Sequence, residues 1–470
     1  MYRLTARFLL IVLFLPPASR AADELQQKVT IYRDNYGVPH IVGETEEAAF
    51  FGYGFAQAED HLEKMMLQYR DAQGRLAEVE GRKALGSESP EFIPYEYRWG
   101  GDYLQRLLRT KQDVVDNKDK IDPAVYKILS AFARGVNEYI RQNRSRIPAW
   151  IDSVSPEDLE ALQRASYLRF YSTGDAMQKL RAEKYKFPLL GSNQFAIAPT
   201  KSADGHVIHV ETVHMPWANH FQNYEAHLIV PGKLDVAGIS WFGSPFFLAG
   251  FNDKITWSIT WNRPNIADLY EEKLNPDNNL QYLYDGSWRS IRVEHETFLV
   301  KGANGMETVS LPMYFTHHGP IVEFDPKQHR AFSIKLPNAH NVTYSDGLYL
   351  LMKAQNLADF KSALSRQFIL RWNFLYTDPR NIYWVHNGVV AQRDPSFDWT
   401  HPVPGWTSKT EWGPYLHFDS NPHLENPPSG FIQNCNNPPW SPRRTPASSR
   451  SSPLPTTCPT KSRKMPATKS

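Results

Sequence analysis

The hydrophobic pattern of the chain changes period once, at Gly191, and that change limits the fold more than any other feature. Before it, apolar residues recur at helical spacing. Thr45, followed by Glu46 and Glu47, starts a helix whose pattern runs through Gln57, Leu62, Met66 and Leu76. The stretch 102–185 is mostly helical by the same test, with a strong start at Ser155-Pro156-Glu157-Asp158. One strand pair precedes these helices: Val29 to Val42 alternates apolar and polar residues around a turn at Asn35-Tyr36-Gly37. After Gly191 the period is two. SNQFAIAP, a turn at Ser202-Ala203-Asp204-Gly205 and HVIHVETV read as a hairpin, and short strands continue to about residue 390. One helix is expected near 357–370. The fold class is α+β, with stacked sheets flanked by helices.

The two ends are different material. Arg3 and Arg7 precede an apolar run, Phe8 to Leu15, then Pro16-Pro17 and small residues, the layout of a secretory signal over residues 1–21. Eight apolar residues are too few to span a bilayer, so the expectation is a periplasmic or secreted protein with no membrane partner. Residues 441–470 carry six Pro, twelve Ser/Thr, seven Lys/Arg and no acid, and read as a disordered basic tail. Setting the seven cations of the tail and the three of the leader aside from a net charge of +2 leaves −8 for residues 22–440. An acidic body excludes a general polyanion binder, and no nucleic-acid partner is expected. Two cysteines exclude a disulfide framework. Between the ends the divisions are 22–185, rich in helix; 186–191, a linker and cleavage region; and 192–440, rich in strand.

Several residue groups invite chemistry. His206, His209, His214, His220 and His227 suggest a metal, but HExxH is absent and His206 and His209 are expected on opposite sides of one strand. Gly52-Tyr53-Gly54 lacks the third glycine of a dinucleotide loop and reads as close helix packing. His317-His318-Gly319-Pro320 reads as a turn, a structural corner. No serine lies in a GxSxG elbow. Gly191-Ser192 poses a different question. Cutting that bond would give Ser192 a free α-amine, with a pKa near ~8, able to take the proton of its own hydroxyl. On spacing alone Gly-Ser is usually a turn.

GSNQFAIAP (191–199), YEAHL (224–228), LDVAGIS (234–240), GFNDKITWSIT (250–260) and ADLYEE (267–272) resemble the penicillin acylase family of N-terminal nucleophile amidohydrolases. DNYGVPHIVGETEEAAFFGYGFAQAED (34–60), GRLAEVEG (74–81), THHGPIV (316–322), DPRNIYWVHNGVV (378–390) and PVPGW (402–406) follow in family order. The resemblance covers roughly residues 29–440. It implies an exported precursor that cuts itself before Ser192 and works as an α/β-chain heterodimer with a four-layer αββα sandwich. It makes Ser192 the nucleophile both of self-cleavage at Gly191-Ser192 and of catalysis. It places the oxyanion donors at the Trp261 backbone N–H and the Asn436 side chain, with Asn434 as the second choice. His214 falls where lactone- and lipopeptide-cleaving relatives place a histidine near the amine, and Met215 would line an acyl pocket. The resemblance implies no required cofactor; Asp268, Asn265 and Asp175 lie near a structural calcium site of some relatives. The expected substrate is a small acyl amide: an acyl-homoserine lactone, a lipopeptide or a β-lactam.

Relatives have a β-chain roughly twice as long as the sequence after Ser192, so the sandwich is expected to be incomplete. The rival reading is a non-catalytic secreted binding protein of the same fold, with its 13 Trp as a ligand surface. A metal hydrolase built on the histidine cluster is the third.

Overall fold

The computed structural model describes residues 24–86, 101–168, 176, 191–215, 217, 221–262, 264–369 and 371–437. The leader, the basic tail and most of the 186–191 linker lie outside these residues.

Thr45 caps the first long helix, Glu46–Gln73, by accepting from the Ala48 N–H at 3.2 Å. Gly74, in the left-handed region at φ 67°, ends it. The helix start expected at Ser155 is a capping box with Asp158, and it begins the helix Pro156–Arg164. Between them, the helix Pro123–Asn143 packs against the first. A Cβ at Gly54 would collide with the Phe132 carbonyl, and one at Gly135 with the Phe51 carbonyl. Gly54 therefore serves close helix packing, as its sequence suggested.

The strand pair that precedes the helices belongs to the strand-rich half. β1 (Val29–Arg33) pairs with β2 (Pro39–Gly43), and β2 runs parallel to β5 (Asn223–Val230). The sheet continues through β6 (Leu234–Trp241), β7 (Ala249–Asn252), β8 (Thr256–Thr260), β16 (Arg371–Thr377), β17 (Ile382–Gly388) and β19 (His423–Glu425). A smaller sheet holds β3 (Gly191–Ile197) between β4 (Ile208–His214) and β20 (Phe431–Asn434).

Helices cover one face of the large sheet. Tyr53 Oη and Ser240 Oγ are 2.7 Å apart, and Phe360 of the helix Leu357–Ser365 packs on Phe374 and Tyr376. The other face meets the small sheet, where Leu375, Ile382 and Trp384 enclose Ala196 and Ile432. Every residue of β16 and β17 is buried, as strands covered on both faces require. Helix, sheet and sheet thus make three of the four expected layers. The outer face of the small sheet shows Phe195, Ile208 and Phe431 to solvent, and no second helical layer covers it among the described residues.

A third sheet has β9 (Asp268–Asn275) between β10 (Asn278–Tyr284) and β15 (Arg330–Lys335). β11 (Ser287–Ser290) and β14 (Ile321–Asp325) form its edges, and β18 (Val403–Pro404) joins β9 in parallel. The long hairpin of β12 (Arg292–Gly302) and β13 (Gly305–Phe315) stands beside it.

Two sequence expectations change. Besides Leu357–Ser365 there is a helix at Tyr344–Lys353, which Gly347 hid by interrupting the helical pattern. That glycine lies against Phe368 and Ile369, where a Cβ would come within 2.9 and 3.1 Å of side-chain carbons. His206 precedes β4 rather than sharing it, while His209 is turned inward to Ser258 Oγ at 2.7 Å. No helix among the described residues is long and apolar enough to cross a membrane.

Candidate active site

Ser192 is the second residue of β3, paired with Val213 of β4, and it is buried. Its hydroxyl donates to the Gly191 carbonyl at 2.7 Å, the group that an intramolecular attack would address. Its backbone N–H donates to Asn436 Oδ1 at 2.6 Å. Asn436 Nδ2 in turn donates to the Trp261 carbonyl at 2.9 Å. The amide cannot be turned over without losing both bonds, because a peptide N–H only donates and a carbonyl only accepts. One side chain therefore ties the Gly191–Ser192 peptide to the end of β8.

Gly191 is required by the same contact. A Cβ there would come within 2.5 Å of Asn436 Oδ1. Asn436 itself adopts φ 65°, a left-handed conformation that asparagine tolerates better than most side chains. Its N–H donates to Asn434 Oδ1 at 3.0 Å.

Asn434, the second choice for an oxyanion donor, is engaged in holding this arrangement. Its Oδ1 also accepts from Thr260 Oγ1 at 2.6 Å and Asn373 Nδ2 at 3.1 Å. His386 Nδ1 lies 2.8 Å from Asn373 Oδ1. Burial, with Arg371 adding to it, pushes the His386 imidazole down to about 4, so it is neutral at pH 7. The support for Ser192 is a chain of neutral amides.

Ser192 opens on a narrow apolar cavity of about 30 Å³, lined by Val213, Met215, Phe221, Trp241, Trp261 and Trp372 among others. That is room for about one water molecule. Glu211 also lines it, and burial pushes its carboxyl up to about 8. It is therefore a neutral acid at pH 7, accepting from the Ile259 N–H at 3.2 Å.

The structure thus joins Gly191, Ser192, Trp261, Asn436 and Met215. It does not bring His214 to the hydroxyl. The register sets His214 opposite Gly191, and alternation along β4 turns it to the face away from Ser192 and Val213, where it is exposed. Asp268 and Asn265 do not make a calcium shell between them. Asp268 Oδ2 accepts from Arg393 Nε at 2.5 Å and Trp412 Nε1 at 2.7 Å, a cation where calcium would need free oxygen. Asn265 Nδ2 donates to the Trp399 carbonyl. Asp175 lies outside the described residues. Sequence reasoning missed Glu211 and Asn373; alternation within HVIHVETV carried a signal for the first.

Residues 28–463 match the family described as penicillin amidase. The chain belongs to that family. The match runs past residue 440, where the sequence resemblance was expected to stop. Acyl-homoserine lactone acylase QuiP of Pseudomonas putida is 26% identical over 90% of this chain and 57% of its own length. Acyl-homoserine lactone acylase PvdQ of Pseudomonas fluorescens is 27% identical over 74% of this chain and 48% of its own. Among solved structures, a thermostable penicillin G acylase from Alcaligenes faecalis superimposes with a TM-score of 0.49 at 28% identity. That overlap covers 53% of this chain and 45% of the other. The chain spans a little over half the length of the first of these curated relatives.

Proposed function

We propose that this protein hydrolyses the amide of N-acylated compounds, with Ser192 as nucleophile, after cutting its own Gly191–Ser192 bond. The observation that carries the reading is the clamp on that bond: Ser192 Oγ on the Gly191 carbonyl, and Asn436 between the Ser192 N–H and Trp261. In self-cleavage Ser192 Oγ adds to the Gly191 carbonyl carbon. The hydroxyl proton passes to the Ser192 nitrogen as the C–N bond breaks, leaving an ester. Water then splits the ester into a Gly191 carboxylate and a free N-terminal serine.

In turnover the new amine takes the hydroxyl proton, directly or through one water, as Ser192 attacks the substrate carbonyl. The departing amine carries the proton away, and water releases the acid. Asn436 and the Trp261 N–H would hold the oxyanion, which requires Asn436 Nδ2 to leave the Trp261 carbonyl once the bond is cut. The names of the Pseudomonas relatives favour acyl-homoserine lactones as substrates. The cavity then has to widen, and Met215, with its flexible thioether, is the side chain best suited to move.

Export is part of the reading, supported by Arg3, Arg7 and the Phe8–Leu15 run. The test is a denaturing gel of purified protein with sequencing of the new end, followed by assay on acyl-homoserine lactones. Two pieces, one beginning at Ser192, with release of fatty acid are expected. An intact chain that releases no acid would favour a binding protein instead.

A further inference from the structure

The corner formed by His317 and His318 lies apart from the Ser192 cavity, in the turn between β13 and β14. Successive residues of a strand point to opposite sides, but these two rings stand side by side with centroids 3.8 Å apart. The turn makes this possible: the Thr316 N–H donates to the Gly319 carbonyl at 3.0 Å. Gly319 adopts φ 146°, and a Cβ there would strike the Ile334 carbonyl.

Both rings are oriented from behind. His318 is stacked on Tyr270, and its Nδ1 meets Glu272 Oε1 at 2.8 Å. That oxygen also accepts from Thr316 Oγ1 and Ser333 Oγ, so it is a fixed acceptor and His318 Nδ1 carries the proton. His317 Nδ1 is 3.0 Å from Tyr282 Oη. Each ring therefore has its Nδ1 engaged and its Nε2 turned to the same place. There, Glu411 Oε1 lies 3.0 Å from His317 Nε2 and 3.1 Å from His318 Nε2. The second contact lacks hydrogen-bond geometry, and His318 Nε2, in a fully buried side chain, has no hydrogen-bond partner among the described residues.

We propose that His317, His318 and Glu411 bind a divalent transition-metal ion of the zinc type. Metal–ligand bonds of about 2.0–2.1 Å in a tetrahedron set ligand atoms about 3.3 Å apart, close to the spacings seen. Glu272 behind His318 supplies the carboxylate that commonly orients a metal-binding imidazole. Glu411 Oε1 also takes a 3.3 Å bond from Tyr284 Oη, which the ion would displace. Lys335 Nζ occupies the other oxygen, Oε2, at 2.8 Å. The corner thus holds the carboxylates of Glu272 and Glu411 with Lys335, and Arg289 lies over the Tyr284 ring, 3.7 Å from its centroid. His317 and His318 also help to line a cavity of about 760 Å³. Such an ion would tie the β13–β14 turn, β9 and the segment after β18 together.

The test uses the untagged full chain, titrated with Zn²⁺ by calorimetry and with Co²⁺ by visible absorption. One equivalent of cobalt with the strong bands of four-coordinate geometry is expected, and zinc should raise Tm. His317→Ala and Glu411→Gln, shown folded by circular dichroism, should each weaken binding at least about tenfold. His206→Ala, an exposed control, and Ser192→Ala should bind as the parent does. The absence of stoichiometric metal, or affinity unchanged in both ligand variants, would overturn the proposal.

Discussion

Ser192 and Glu411 sit in sites built from opposite materials. Around Ser192 the fixing groups are amides: Asn436, Asn434, Asn373 and the Trp261 carbonyl, with His386 held neutral by burial. Around Glu411 they are ionic: Glu272, Lys335 and two imidazoles, and the imidazoles and Lys335 hold the Glu411 carboxyl well below the usual carboxylate range despite its partial burial. Amides do not titrate between pH 4 and 9, so the hydrogen bonds that fix Ser192 are themselves insensitive to pH. The second site is organised to hold a cation. The difference teaches that the groups fixing Ser192 do not titrate, which leaves Glu211 in the cavity wall and, after scission, the new amine to carry any pH dependence.

The largest effect should come from Ser192→Ala, which ought to abolish scission and cut turnover by on the order of 10⁶. A gel that still shows two pieces would break the reading of the amide site. Asn436→Ala should leave the chain folded and lower turnover by ~10²–10³. Near-normal turnover in that variant would move the donor role elsewhere. Gly191→Ala separates scission from catalysis. Its methyl group displaces Asn436, so scission measured in freshly made protein should slow by about 10²-fold. Molecules that do cut should turn over normally, since Gly191 leaves with the other piece.

The smallest effect belongs to Glu211→Gln. Burial raises the folded carboxyl to about 8, so the parent binds more protons than its unfolded chain between about pH 4.5 and 8. Its contribution is intact below the unfolded value and is lost as pH rises through the folded one. Thermal melts should match at pH 4, and the glutamine variant should melt about 2–4 °C higher at pH 8. Equal melting temperatures at both pH values would show that Glu211 is not buried as a neutral acid.

Much of this fold is written locally. Thr45, Ser155 and the Ser202–Gly205 turn each act within a few residues, and the change of period at Gly191 coincides with the first residue of β3. The site is less local. Gly191 and Ser192 carry no pattern of their own, and the resemblance to a family singled them out. Asn373 stands inside a buried strand, 61 residues from Asn434, where nothing nearby marks it as a hydrogen-bond donor. At His214 the resemblance and the strand point different ways. Its place in the sequence agreed with the resemblance, but strand parity, which a single residue of offset reverses, sends it to the other face.

The parallel pairing of β2 with β5 has a mechanical consequence. β2 comes from before Gly191 and β5 from after it, so a break at that bond severs the chain while leaving a shared sheet unbroken. The strand that carries Ser192 stays laced between β4 and β20. The two fragments would be born already assembled and would part only by unfolding. Neither would have to find the other in solution, and one covalent cut would change the chemistry of a single nitrogen while leaving the shape of the molecule alone.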